Sequence, residues 1–110
     1  MSKVVTISTT DLHAALGRKG YDNDRICSIV TGLVSIWRVN ENIEEITHDV
    51  VMSELEDDDL MAAFLWNSVS KELIEAGKYV RQLSTQHLLV RWSVVPFAIM
   101  LEFEDGIKAS

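Results

Sequence analysis

With a single cysteine, Cys27, this 110-residue chain can close no intramolecular disulfide and gather no thiolate cluster around a metal. A reducing compartment, the cytoplasm, is the expected setting. Proline is as scarce: Pro96 stands alone, and the five glycines are scattered. No segment reads as a linker, which points to one domain over residues 1–110. Long apolar runs are missing too. The most hydrophobic stretch, Leu88 to Leu101, is interrupted by Arg91, Ser93 and Pro96 and falls short of the roughly 20 residues needed to cross a bilayer. Met1-Ser2-Lys3-Val4-Val5-Thr6-Ile7-Ser8 lacks the apolar block of a secretory leader, so export by that route is not expected.

Positive charge is the next shortage. Ten Lys and Arg stand against 17 Asp and Glu, a net charge of −7. A negative surface gains no counterion release from a phosphate backbone and is repelled by anionic lipid, so neither direct nucleic-acid binding nor membrane binding is expected. Signature motifs are absent as well: there is no glycine-rich phosphate loop, nucleophile elbow or metalloprotease helix. The sequence therefore predicts a protein without cofactor, metal or catalytic activity.

What is present is an ordinary globular composition, 47% hydrophobic and 25% charged, in a chain long enough to bury about two thirds of its unfolded surface. Lys3 to Ile7 is β-branched and predicts a short strand. Ser8-Thr9-Thr10-Asp11 matches a capping box before a short helix over Leu12 to Leu16, ended by Gly17. Asp22 or Asn23 caps a second helix, where Ile26, Ile29, Val30, Leu33, Ile36 and Trp37 recur at helical spacing to about Val39. Asn40 or Asn42 opens a third, with Ile43, Ile46 and Val50 on its inner side. A fourth begins at Ser53-Glu54-Leu55-Glu56 or one of the following aspartates and runs to Ala76 before Gly77. Its inward stripe is Ala62, Leu65, Trp66, Val69, Leu73 and Ala76. The period then shortens to two: Leu88, Val90, Trp92 and Val94 alternate with their neighbours, as do Leu101 to Glu104, predicting strands at 87–95 and 98–104 and a possible third at 78–83. The expected fold is α+β, about four helices over residues 9–77 followed by a short C-terminal antiparallel sheet. A helix over 86–95, and with it an all-α bundle, is the alternative.

The negative charge is concentrated. Residues 40–77 hold eleven acids against Lys71 alone, a balance of −10, whereas residues 1–39 and 78–110 carry +2 and +1. Within that segment Glu54, Glu56, Asp57, Asp58 and Asp59 precede Leu60, Met61, Phe64 and Trp66. Carboxylates in a first helical turn are explained by the helix dipole and free N–H groups. The dipole does not explain the apolar cluster that follows, and an apolar centre with a charged rim is how protein interfaces are commonly built. The nine residues Glu54, Glu56, Asp57, Asp58, Asp59, Leu60, Met61, Phe64 and Trp66 are therefore the candidate partner-binding site, the acids steering and the apolar residues anchoring. The expected partner is a protein with a basic surface; if that partner normally binds nucleic acid, the carboxylates stand where phosphates would, making this chain an inhibitor or regulator.

Other readings are weaker. The apolar cluster also fits a homodimer seam in a chaperone-like or structural subunit. Glu45-Ile46-Thr47-His48 is a Glu-x-x-His, but a di-iron site needs a second copy. Cys27 is expected to act as a small buried hydrophobe, and as a nucleophile only with His48 or His87 beside it. Thr9 to Val34 fits a helix-turn-helix regulator, with Asp24 to Val34 as recognition helix and residues 78–104 as a wing. Asp22 and Asp24 stand where base readers carry Arg, Lys, Asn or Gln. Arg18, Lys19, Arg25 and Arg38 would make at most a small positive face.

Overall fold

The computed structural model describes residues 2–54 and 59–104, apart from the side chains of Ser2 and residues 59–62. Among these, seven elements follow one another: β1 (Ser2–Ser8), α1 (Thr10–Arg18), α2 (Asn23–Trp37), α3 (Ile43–Glu54), α4 (Asp59–Gln86), β2 (Leu88–Val95) and β3 (Ala98–Glu104). The fold is α+β, four helices and then the C-terminal antiparallel strands, which β1 joins to give the order β1-β3-β2. Residues 88–95 are strand, not the helix of the all-α alternative.

Alternation explains the sheet. In β3, Ile99, Leu101 and Phe103 are buried while Met100 is exposed, and in β1 Val5 is buried while Val4 is exposed, so one face packs on the helices. β2 departs from the expected stripe. Leu89 opposes Phe103, but a register shift follows and Trp92 opposes Leu101. The extra residue of such a bulge flips the inward parity, so Leu89, Trp92 and Val94 face the core and Leu88 and Val90 stay exposed. Pro96 and Phe97 close the β2–β3 hairpin. Phe97 takes φ 72°, a left-handed conformation that strains a bulky side chain.

The helix starts show how local chemistry and packing combine. Asp22 caps α2, its Oδ1 accepting from Arg25 N at 2.8 Å. Asn42 supplies the first acceptor of α3, its carbonyl taking Ile46 N at 2.9 Å, while Asn40 Oδ1 accepts from Asn42 N at 2.9 Å. The capping box expected at α1 is not what holds that helix. Thr9 makes no side-chain cap; instead Glu72 reaches from α4, its two carboxylate oxygens accepting from Asp11 N at 3.1 Å and Leu12 N at 2.9 Å. A carboxylate at a helix N-terminus satisfies orphan donors and the dipole together.

Four boundaries differ from expectation. α1 starts at Thr10 and runs through Gly17 to Arg18 rather than spanning Leu12 to Leu16. α2 stops at Trp37 rather than Val39. Ser53 and Glu54 end α3 rather than open α4, and residues 55–58, where the remaining capping candidates fall, lie outside the described residues. α4 continues through Gly77 to Gln86, so residues 78–83 are helix and no strand forms there. Of the expected stripe Leu65, Val69, Leu73 and Ala76 are buried, Trp66 is half-buried, and the Ala62 side chain lies outside the described residues; Val80 extends the stripe, with Leu83 packed beside it. α3 turns differently as well. Ile43, Thr47 and Val51 are its buried residues, because Thr47 Oγ1 accepts the hydrogen bond of the buried Trp37 indole, Nε1 to Oγ1 2.7 Å. Ile46 and Val50 fall to the edge of that face, half-buried.

Gly77 is where α4 crosses this junction. A methyl group there would lie 2.5 Å from Ile43 Cγ2 and 2.7 Å from Trp37 Nε1, so only hydrogen fits. Helix propensity favours alanine over glycine by about 1 kcal/mol, whereas forcing a group into a packed site typically costs about 1–3 kcal/mol. The clash involves a β-branched side chain and a rigid ring, neither free to swing away. At separations this short the cost falls in the upper part of that range, about 2–3 kcal/mol, so Gly77→Ala is expected to lower stability by about 1–2 kcal/mol after the propensity gain, read as the midpoint shift in urea unfolding; a variant as stable as wild type would refute the close approach.

Candidate functional site

α3 turns its polar side outward because its apolar residues are claimed by Trp37 and α4. Glu44, Glu45, His48 and Asp49 recur at helical spacing on one exposed face, preceded by exposed Glu41 and followed by exposed Glu54. No Lys or Arg occurs in residues 40–54, so the neutralising partners come from elsewhere. Arg25 of α2 lies 3.7 Å from Glu54 Oε2 and donates to the Glu54 carbonyl at 3.4 Å. Arg81 of α4 approaches Glu41 Oε1 at 3.4 Å. Both pairs are solvent-exposed, worth roughly 0–1 kcal/mol each, and Glu44 and Glu45 have no recorded ion pair among the described residues.

The nine candidate residues distribute as follows. Glu56, Asp57 and Asp58 lie outside the described residues. Asp59, Leu60 and Met61 form the first turn of α4, their side chains undescribed. Phe64 is 62% exposed, and Lys19 Nζ sits 5.9 Å from its ring centroid. Trp66, two positions on and so across the helix, is half-buried and meets His48 edge-on with ring centroids 5.0 Å apart. Leu65 between them is core. Phe64 thus belongs with the α1–α2 connection, and Trp66 is the aromatic that adjoins the acidic face of α3.

Glu45 and His48 of the Glu-x-x-His are both exposed, and His48 Nδ1 lies 3.5 Å from Asp49. Among the described residues no three His, Cys, Asp or Glu side chains converge as metal ligands. Glu72, a carboxylate of α4, is engaged in capping α1. Of the bases weighed as a positive face, Lys19 and Arg25 line one pocket with Tyr21 and Asp22, Lys19 lying over Phe64 and Arg25 over Tyr21 at 5.6 Å, whereas Arg38 lies over Trp92 at 5.3 Å.

Cys27 has an imidazole beside it, but neither of those considered from sequence. His13 is buried, and its Nδ1 lies 3.1 Å from the Thr9 carbonyl. The same Nδ1 lies 3.2 Å from Thr9 Oγ1, and Nε2 lies 4.0 Å from Cys27 Sγ. The thiol is half-buried. No local motif marks this pair; the 14-residue separation becomes a contact only when α1 packs on α2. Burial, and then the nearby Asp24 carboxylate, push the Cys27 pKa above its ordinary value. Both effects disfavour the thiolate, so the pair is a hydrogen-bonded packing contact and not an activated nucleophile.

Comparison with protein-family models, with curated proteins and with solved structures found no match to this chain. No helix among the described residues is long and apolar enough to cross a membrane.

The thiol environment has a measurable sign. A raised pKa means less thiolate at neutral pH, so alkylation of native Cys27 by iodoacetamide is expected to be slower than in the urea-unfolded chain. Its rate should rise with pH toward a midpoint above the roughly 8.5 of a free cysteine. A midpoint below that value would show that His13 activates the thiol.

Proposed function

We propose that this protein is a non-catalytic binding module of the cytoplasm that engages a basic protein surface through the acidic outer face of α3, with Trp66 at its margin as the aromatic anchor. The observation that carries this reading is the placement of Glu44, Glu45 and Asp49 together on one exposed helix face from which every Lys and Arg of the segment is missing. Such a face speeds encounter with a positive partner and rejects negative ones. A partner that normally holds nucleic acid would meet carboxylates where it expects phosphates, which makes inhibition or regulation the natural consequence. The lone cysteine fits a reducing compartment.

The charge-reversal variant Glu44→Lys, Glu45→Lys, Asp49→Lys tests it, since all three positions are exposed and the fold should survive, as circular dichroism will report. A partner captured by the wild type, then purified and titrated calorimetrically, is expected to lose at least about tenfold in affinity to the variant. Wild-type affinity should also fall as salt rises from about 0.05 to 0.5 M. Equal affinity for both proteins would sink the reading.

A homodimer has separate support on the open face of the sheet, where Val4, Leu88 and Met100 are exposed around the neutral Arg91–Glu102 pair, Nε to Oε1 2.6 Å. Sedimentation equilibrium separates the two: a dimer indifferent to salt favours this face, because apolar burial is not screened, and a monomer at micromolar concentration rules it out.

A further inference from the structure

Where α2 and α4 end and β2 begins, a cavity of about 360 Å³ gathers Arg38, Arg81, Ser84 and His87 with the apolar side chains of Val39 and Leu88. It is opposite in charge to the acidic face and adjoins it at Glu41, whose carboxylate approaches Arg81. Arg38 Nε, Arg81 Nε and His87 Nδ1 are each buried without a hydrogen-bond partner. Buried polar atoms are nearly always paired, so three orphans around one cavity point to an acceptor that the chain does not itself provide. Helix geometry accounts for part of the charge. Arg38 and His87 directly follow the last residues of α2 and α4, where a cation offsets free carbonyls. It does not account for Arg81, a turn and more inside α4, or for the three orphaned nitrogens.

The competing groups are few. Arg38 stacks over Trp92, which leaves its guanidinium edge for an anion. Arg81 has Glu41 at 3.4 Å, but that side chain is 84% exposed and held by nothing else among the described contacts. Glu104 stands opposite Leu88 in the sheet and is not among the residues that line the cavity.

We propose that this cavity binds a small phosphate monoester. Two guanidinium forks match the oxygens and double charge of a phosphate better than the single charge of a carboxylate. His87 Nδ1, in its protonated tautomer, supplies a further donor, and Val39 and Leu88, 70% and 47% exposed, form the wall against which the esterified group lies. The volume is that of a small-molecule pocket, and the chain's net charge of −7 repels polyanions while a single phosphate held by two arginines is tolerated. Glu41, through its exposed contact with Arg81, competes for that guanidinium and is displaced on binding.

Amide chemical shifts of the full chain, followed by NMR while phenyl phosphate is added, test this. Saturable shifts are expected at Arg38, Arg81, His87 and Leu88, with inorganic phosphate binding the same residues more weakly. Arg81→Gln should weaken phenyl phosphate at least about tenfold, Arg81→Lys less, and Glu41→Gln should strengthen it about two- to threefold by removing the competitor. The Glu41 variant touches only an exposed side chain, so it reads the site even if an arginine variant unfolds. Absence of saturation at millimolar ligand, equal affinity in wild type and a folded Arg81→Gln, weaker binding in Glu41→Gln, or tighter binding of a single-stranded oligonucleotide to the same residues would each overturn the assignment.

Discussion

Trp37 is the joint on which the helical layer turns. It is wholly buried at the end of α2, its indole N–H is satisfied by Thr47 of α3, and the bare backbone of Gly77 in α4 runs against its ring. Each of these contacts constrains the next. The hydrogen bond sets the rotation of α3, since Thr47 must face inward; that rotation turns Glu44, Glu45 and Asp49 outward. The glycine lets α4 come close enough to seal Trp37 and Ile43 without ending there. An indole left unpaired in this position would cost about 1–3 kcal/mol, a large part of the stability of a domain this size.

From that joint α4 continues as the spine of the molecule. Its 28 residues span about 42 Å at 1.5 Å per residue, most of the 48 Å long axis, and it packs on all three other helices and on β2. Glu72 extends its reach to α1, a nine-residue helix too short to persist alone, by supplying the acceptors that the N-terminus of α1 lacks. The buried Thr9–His13 pair and the Thr9 N–H, which donates to the Phe97 carbonyl at 2.9 Å, tie the same segment to the hairpin. The N-terminal strand and helix are thus held by polar contacts to residues 60 and more positions away.

Two kinds of surface lie beside this spine. The acidic face of α3, on which the proposed protein interface rests, owes its character to local composition, and its ion pairs are exposed and weak. The cavity by Arg38, Arg81 and His87 owes its character to convergence: one arginine from the end of α2, one from inside α4, and an imidazole from the link to β2. The first surface suits steering of a large positive partner, where charge acts at a distance. The second suits a small anion, because donors from three places in the chain converge there and three of their nitrogens are buried.

Periodicity made much of the fold legible. Apolar spacing of three and four marked the helices, spacing of two marked β2 and β3, and Asp22 marked the start of α2, because these signals depend only on near neighbours along the chain. The concentration of acids in residues 40–77 was equally plain, being a property of composition. Other features required the folded chain. Gly77 has the appearance of a helix stop, and only the proximity of Trp37 and Ile43 makes it a place of close approach. Thr47 reads as a surface residue until the indole that needs it is known, and the bulge in β2 leaves no mark on an alternating pattern. Which candidate anchors share a surface, Phe64 with Lys19 or Trp66 with His48, and that Arg38 meets Arg81 across 43 positions, was decided by packing alone: side chains far apart in sequence carry no information about one another until burial of the apolar stripes fixes how the helices turn.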